Sequence, residues 1–131
     1  MKKRIAFALI SVLLCVGAAA WLVPYTPMPD MDGFWNARIW RVNGAETTEI
    51  TEQVDQTALR EAMTQVQASR VPRQQKSFSM DRVSYELIVV YDDTPIFLDI
   101  GELNFVYDGG GWVHDLTNGR EILDKLNEIC K

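Results

Sequence analysis

The chain has 131 residues, 47% of them hydrophobic, and a formal net charge of −5, with one histidine and two cysteines. Three of the 13 basic side chains fall in the first four residues and none of the 18 acidic ones do, so the remainder balances at 10 against 18, or −8. So acidic a body is a poor candidate for binding a nucleic-acid backbone or an anionic lipid surface, both of which need clustered Lys and Arg, and a single cysteine beyond the apolar leader excludes an internal disulfide there.

Met1-Lys2-Lys3-Arg4 precedes an uncharged run from Ile5 to Val23. A basic cluster ahead of an apolar run is an export signal or a membrane anchor. Gly17-Ala18-Ala19-Ala20 offers the small residues that favour cleavage after Ala19 or Ala20. Residues 5–23 would also reach about 28 Å as a helix, enough to span a bilayer, and Trp21 and Tyr25 suit a membrane interface. Both readings stay open, and both place the body of the protein outside the cytoplasm. A lipidated Cys15 would need a small residue before it, and Leu14 stands there; a small apolar residue in an apolar helix accounts for Cys15.

Pro24, Pro27 and Pro29 rule out helix and central strand, so residues 24–32 are expected to be an extended spacer. About 100 residues remain, one small domain over 33–131. Phe34 to Val42 reads as a strand with Trp35, Ala37 and Ile39 on one face and Phe34, Trp40 and Val42 on the other. Asn43-Gly44 signals a hairpin into a Thr-rich edge strand beginning at Glu46. Asp55 is placed to cap a helix whose stripe is Ala58, Leu59, Ala62, Met63 and Val66, ending near Ser69 with Pro72 as the stop. Arg70 to Lys76 then reads as a basic loop, and Phe78 and Met80 restart the sheet.

The stretch from Arg82 to Asp115 organises the domain. Val83, Tyr85, Leu87, Val89 and Tyr91 alternate onto one buried face, with Ile88 and Val90 expected to be covered as well. Asp92 to Pro95 is a turn bent by proline, and Ile96, Leu98 and Ile100 share the face of the next strand. Beyond Gly101-Glu102 the apolar phase moves to Leu103, Phe105 and Tyr107, the mark of a bulge or tight turn. Asp108-Gly109-Gly110-Gly111 turns into a last strand from Trp112 to Asp115. A closing helix carries Ile122, Leu123, Leu126, Ile129 and Cys130 on one stripe, with Asn118 as cap and Glu121 completing a capping box. These elements specify a two-layer α+β domain: an antiparallel sheet of five to six strands with two helices on one face.

The pieces ITEQVDQTALREAM, YELIVVYDD and NGREILDKL, in that order behind an export segment and spacer, resemble small extracytoplasmic domains of Firmicutes without assigned activity, some of them lipoproteins of the YhfM-like kind. The resemblance covers Thr47 to Lys131 as patterns of residue type, and the missing lipobox at Cys15 is a departure from it. It implies a non-enzymatic accessory domain.

Chemistry-bearing residues are sparse. His114 is the sole histidine and has no second histidine or spaced cysteines to build a metal site with, so neither metal nor cofactor is expected. Turn chemistry explains Asp92, Asp93 and Asp108, and no EF-hand spacing is present. Asp99 is an acid inside an apolar strand; with Leu98 and Ile100 on the other face it is expected to face solvent, and facing the interior it would need a partner or a raised pKa. No nucleophile elbow, P-loop or dinucleotide motif occurs. Candidate binding residues are Trp35, Trp40 and Trp112, as an aromatic platform, and the cations Arg70, Arg73 and Lys76. The expected function is an extracytoplasmic accessory module, anchored in the membrane through residues 5–23 or secreted, that meets another protein through a sheet edge or the aromatic strand. The alternative is a small enzyme using His114 with Asp115 or Asp99.

Overall fold

In the structure, a computed structural model that describes residues 1–74, 82–107 and 112–131, the elements run α1 (Lys2–Leu22), β1 (Phe34–Asn43), β2 (Glu46–Glu49), α2 (Gln56–Thr64), β3 (Ala68–Gln74), β4 (Val83–Tyr91), β5 (Thr94–Ile100), β6 (Phe105–Tyr107), β7 (Trp112–Leu116) and α3 (Gly119–Ile129). The strands form one antiparallel sheet in the order β2-β1-β4-β5-β6-β7-β3. This is the α+β architecture read from the sequence, with seven strands rather than five or six. The Asp108–Gly111 turn, Phe78, Met80 and Lys76 lie outside the described residues.

The extra strand is β3. Residues 68–74 pair with β7, Pro72 opposite His114, where a loop was expected. Proline is tolerated because β3 is an edge strand, with no further ladder for its missing N–H to serve. Helix α2 accordingly stops at Thr64, before Pro72 can act on it. Its N-cap is as expected: Asp55 Oδ1 accepts from the Thr57 and Ala58 amides at 2.9 and 3.2 Å.

One face of the sheet, here called inner, carries the core. Ala37 and Ile39 from β1, Leu87 and Val89 from β4, and Leu98 and Ile100 from β5 pack under Leu59, Met63, Ile122 and Leu126 of the two helices. Each of the Leu, Ile, Val and Met side chains among them contributes on the order of 1.5–3 kcal/mol by leaving water. Cys130 is buried on the α3 stripe, and burial raises its thiol pKa, which makes it a packing residue rather than a reactive one. Arg41 donates to the Cys130 carbonyl at 2.6 Å, placing a cation on the negative end of α3.

Several local expectations are corrected. A bulge between Phe34 and Asn36 shifts the phase of β1, so Phe34 joins Ala37 and Ile39 in the core while Trp35 is pushed out and is 77% exposed. The β1–β2 turn is Gly44-Ala45, one residue later than expected, with Gly44 at φ 60°. The β4–β5 turn is made by Asp92 and Asp93, at φ 46° and 62°, the primed geometry that a two-residue hairpin prefers; Pro95 is already in β5, opposite Val90. Ile88 is 40% exposed and Val90 half-buried, so the far end of β4 is covered on one side only. The phase change after Gly101 is a tight turn whose positive φ sits at Asn104, 50°. The Asn104 amide closes it, accepting from the Gly101 N–H and donating to the Gly101 carbonyl, both at 2.9 Å. Val106 therefore faces the core opposite Leu98, and Phe105 faces away.

Asn118 precedes α3 but its side chain does not cap it. Instead its amide accepts from the Gln67 N–H at 2.9 Å and donates to the Gln65 carbonyl at 2.7 Å, fastening the turn between α2 and β3. The 24–32 stretch is extended, yet it does not stand clear of the domain. Tyr25 pairs with Ala68 through two backbone hydrogen bonds of 2.9 and 2.8 Å, and Met28 is fully buried in the core.

Candidate functional site

Three places bring unusual residues together, and the first is the outer face of the sheet. Residues alternate faces along a strand, so with Leu87 and Leu98 inward, Ser84, Glu86 and Asp99 turn outward. Asp99 lies directly across from Glu86 in the β4–β5 register, and like charges so placed repel. Arg82 bridges the two carboxylates, and the Ser84 hydroxyl donates to Asp99 Oδ2 at 3.4 Å. Asp99 is nevertheless 0% exposed, which corrects the expectation of a solvent-facing acid. Its other oxygen, Oδ1, has no hydrogen-bond partner among the described residues. Burial pushes its carboxyl up to about 6, against the pull of Arg82, with Glu86 adding to the rise. Chemically this is a buried carboxylate held near its titration point.

Next to that cluster the outer face is apolar and partly open. Ile88, Val90, Pro95 and Phe97 are its residues on β4 and β5, with Ile88 opposite Phe97. Trp40 reaches the same face from β1 opposite Glu86, and Arg38 lies 5.0 Å from its ring centroid. Arg38 is itself fixed by a two-pronged ion pair with Glu49, both contacts 2.9 Å, which raises its pKa and lowers that of Glu49.

The three tryptophans are not brought together. Trp112 stands on β7, four strand positions from β1, or about 19 Å at the usual inter-strand spacing. Its neighbour Val113 faces outward opposite Tyr107, so Trp112 and Trp40 have opposite parity. The cations diverge as well. Arg73 bonds Asp115 at 2.7 Å on the outer side, while Arg70 turns to the chain leaving α1, its Nε donating to the Val23 carbonyl at 3.0 Å.

His114 is half-buried on the inner side, with Nδ1 2.8 Å from the Ser69 carbonyl and its ring edge-on to Tyr25 at 5.6 Å. Asp115 and Asp99, the carboxylates considered as its partners, both face outward. Among the described residues no group of three His, Cys, Asp or Glu side chains is gathered as a metal ion would need.

The third place is the junction of α1 with the domain. Gly17, Ala20 and Trp21 of α1 face Tyr25, Arg70 and His114 across a cavity of about 490 Å³. Helix α1 is otherwise bare: none of its residues is buried and its mean hydropathy reaches 2.5, a length and composition that suit a signal anchor or a membrane span.

Comparison of the chain with protein-family models, with curated proteins and with solved structures gives no match. The site must therefore be read from its own geometry. Sequence reasoning singled out Asp99 as the odd acid of its strand but missed its cation. Arg82 stands four residues before Glu86, a spacing that in an extended chain carries no expectation of contact. The cavity at Tyr25 was missed because the pairing of Tyr25 with Ala68 joins segments 43 residues apart without a local signal.

Proposed function

We propose that this protein is a non-enzymatic accessory domain on the outer side of the cytoplasmic membrane, held there by α1 and engaging a protein partner through the outer face of its sheet. The observation that carries the reading is the combination of a bare apolar helix with a domain docked directly against its end. Residues 24–32 do not leave the domain loose: Tyr25 and Met28 pin it within a few residues of the apolar run. Basic residues only at positions 2–4 ahead of that run favour the amino terminus inside.

The partner surface is inferred from exposure. The strip of Ile88, Val90, Pro95 and Phe97, with half-buried Trp40 on the same face, forms an apolar area next to charged Arg38 and Glu86, and Trp35, displaced by the bulge, is exposed near the start of β1. An aromatic anchor beside a partly wet apolar strip with charges at its margin is how interfaces concentrate their binding energy. Affinity isolation from detergent-solubilised membranes tests this. A specific protein should co-purify with the native chain and be lost with Ile88→Asp, which alters an exposed position without opening the core. Repeated isolation without a partner, or a partner retained equally by Ile88→Asp and Trp35→Ala, would sink the proposal.

A further inference from the structure

We infer that the cavity between α1 and the β3–β7 edge is a binding site for a single phospholipid, with the phosphodiester on Arg70 and an acyl chain against Gly17 and Ala20. The inference rests on the anchored reading of α1 and gives its membrane end a ligand.

Three observations carry it. The first is place. The cavity opens at the last two turns of the apolar helix, beside Trp21 and Tyr25, the depth at which headgroups meet acyl chains and at which such aromatics concentrate. Its walls divide in the same way: small apolar residues on the helix side, Arg70 and His114 on the domain side.

The second is charge. The chain beyond its first four residues carries 18 acidic side chains against 10 basic, yet among the described residues no acid lines this cavity. The excess acid elsewhere opposes spreading of the domain over an anionic surface. What the geometry favours is one lipid held locally, not a polybasic patch.

The third is the setting of Arg70. The Val23 carbonyl takes its Nε, and its guanidinium lies 5.5 Å from the Tyr25 ring centroid. No hydrogen bond engages Nη1 or Nη2 among the described residues, and a guanidinium fixed at one nitrogen presents the other two as a fork suited to phosphate oxygens. The helix side is open at Gly17, where a Cβ would meet nothing within 4 Å.

The test is native mass spectrometry of the full chain in a mild non-ionic detergent, titrated with phosphatidylglycerol. One lipid per chain should be retained. Arg70→Gln should weaken that retention about tenfold or more, and Gly17→Leu, which fills the cavity from the helix side, should do the same. Arg73→Gln, which loses the Asp115 ion pair and the contact with the Gln74 carbonyl, neither of them at the cavity, should leave it within twofold. Inorganic phosphate should not displace the lipid at concentrations where a short-chain phosphatidylglycerol does. Equal retention by the native chain and Arg70→Gln overturns the inference as non-specific lipid, and so does displacement by inorganic phosphate. The mass of the chain itself separates the two levels of the argument. A full-length mass without lipid retention removes the cavity's role alone, whereas a mass matching cleavage after Ala19 or Ala20 removes the anchor and the site with it.

Discussion

Replacing Asp99 by asparagine should change how stability depends on pH, and the sign follows from where its proton binds. The folded chain holds the Asp99 carboxyl at about 6 against an ordinary value of 3.8. Folding thus favours the protonated form. The stabilisation is fully present below pH 3.8, declines as pH rises between those values, and is gone above about 6. At ~1.4 kcal/mol per pH unit the rise corresponds to ~3 kcal/mol, a large part of what a small domain has to lose. Asparagine keeps the shape and removes the titration. Its amide facing Arg82 adds a constant penalty, so the informative quantity is the difference between the native chain and Asp99→Asn at each pH. Urea unfolding of the detergent-solubilised chain, followed by tryptophan fluorescence from pH 3.5 to 7.5, measures it. Relative to Asp99→Asn, the native chain should lose ~3 kcal/mol across that range, with the change centred near pH 5. Titration of the many exposed carboxylates cancels in the comparison. A difference that stays flat with pH would refute the reasoning, because it would mean that Asp99 ionises in the folded chain as easily as in the unfolded one.

Other substitutions read single contacts in the same unfolding assay. Asp55→Ala should cost about 1 kcal/mol through loss of the α2 cap. Asn118→Asp distinguishes a cap from a fastener: aspartate caps as well as asparagine does, but it cannot donate to the Gln65 carbonyl. A loss of about 1 kcal/mol is expected, and an unchanged midpoint would restore the capping role. Gly101→Ala should destabilise by about 3 kcal/mol or more, since a Cβ there would stand 2.7 Å from both the Ser84 Cα and the Val83 carbonyl oxygen; a neutral result would mean that β4 can shift. Trp35→Ala should stay within about 0.5 kcal/mol of the native chain, so that any loss of partner binding reports the surface rather than the fold.

What could be read in advance divides along physical lines. Alternation in Tyr85, Leu87 and Val89 and the stripe through Ile122 and Leu126 placed the sheet, the helices and their shared face, because burying apolar surface is a periodic demand written into neighbouring residues. The Asp55 cap was legible for the same reason: its partners lie two and three residues away. The failures involve competition between distant groups. Asn118 had the right residue type in the right place for a cap, but the amide and carbonyl of the α2–β3 turn claimed it. Pro72 looked like punctuation, and an unpaired edge made it acceptable in a strand. The bulge between Phe34 and Asn36 put Phe34 in the core and Trp35 in solvent, the reverse of the simple alternation, which cannot foresee it. At the candidate sites, Asp99 was conspicuous as an acid among apolar neighbours. Its environment depended on a cross-strand register and on Arg82, both settled only by the folded sheet.

The two hydrogen bonds between Tyr25 and Ala68 bear on how the domain is carried. They make the residues emerging from α1 continuous with the β3 edge, so on the anchored reading the domain is hafted to its helix like a blade and cannot swivel freely. The opposite margin, β2, lies six inter-strand steps away, about 29 Å across the sheet. Any protein gliding in the same bilayer would meet one particular side of that blade, at a height fixed by where the helix ends.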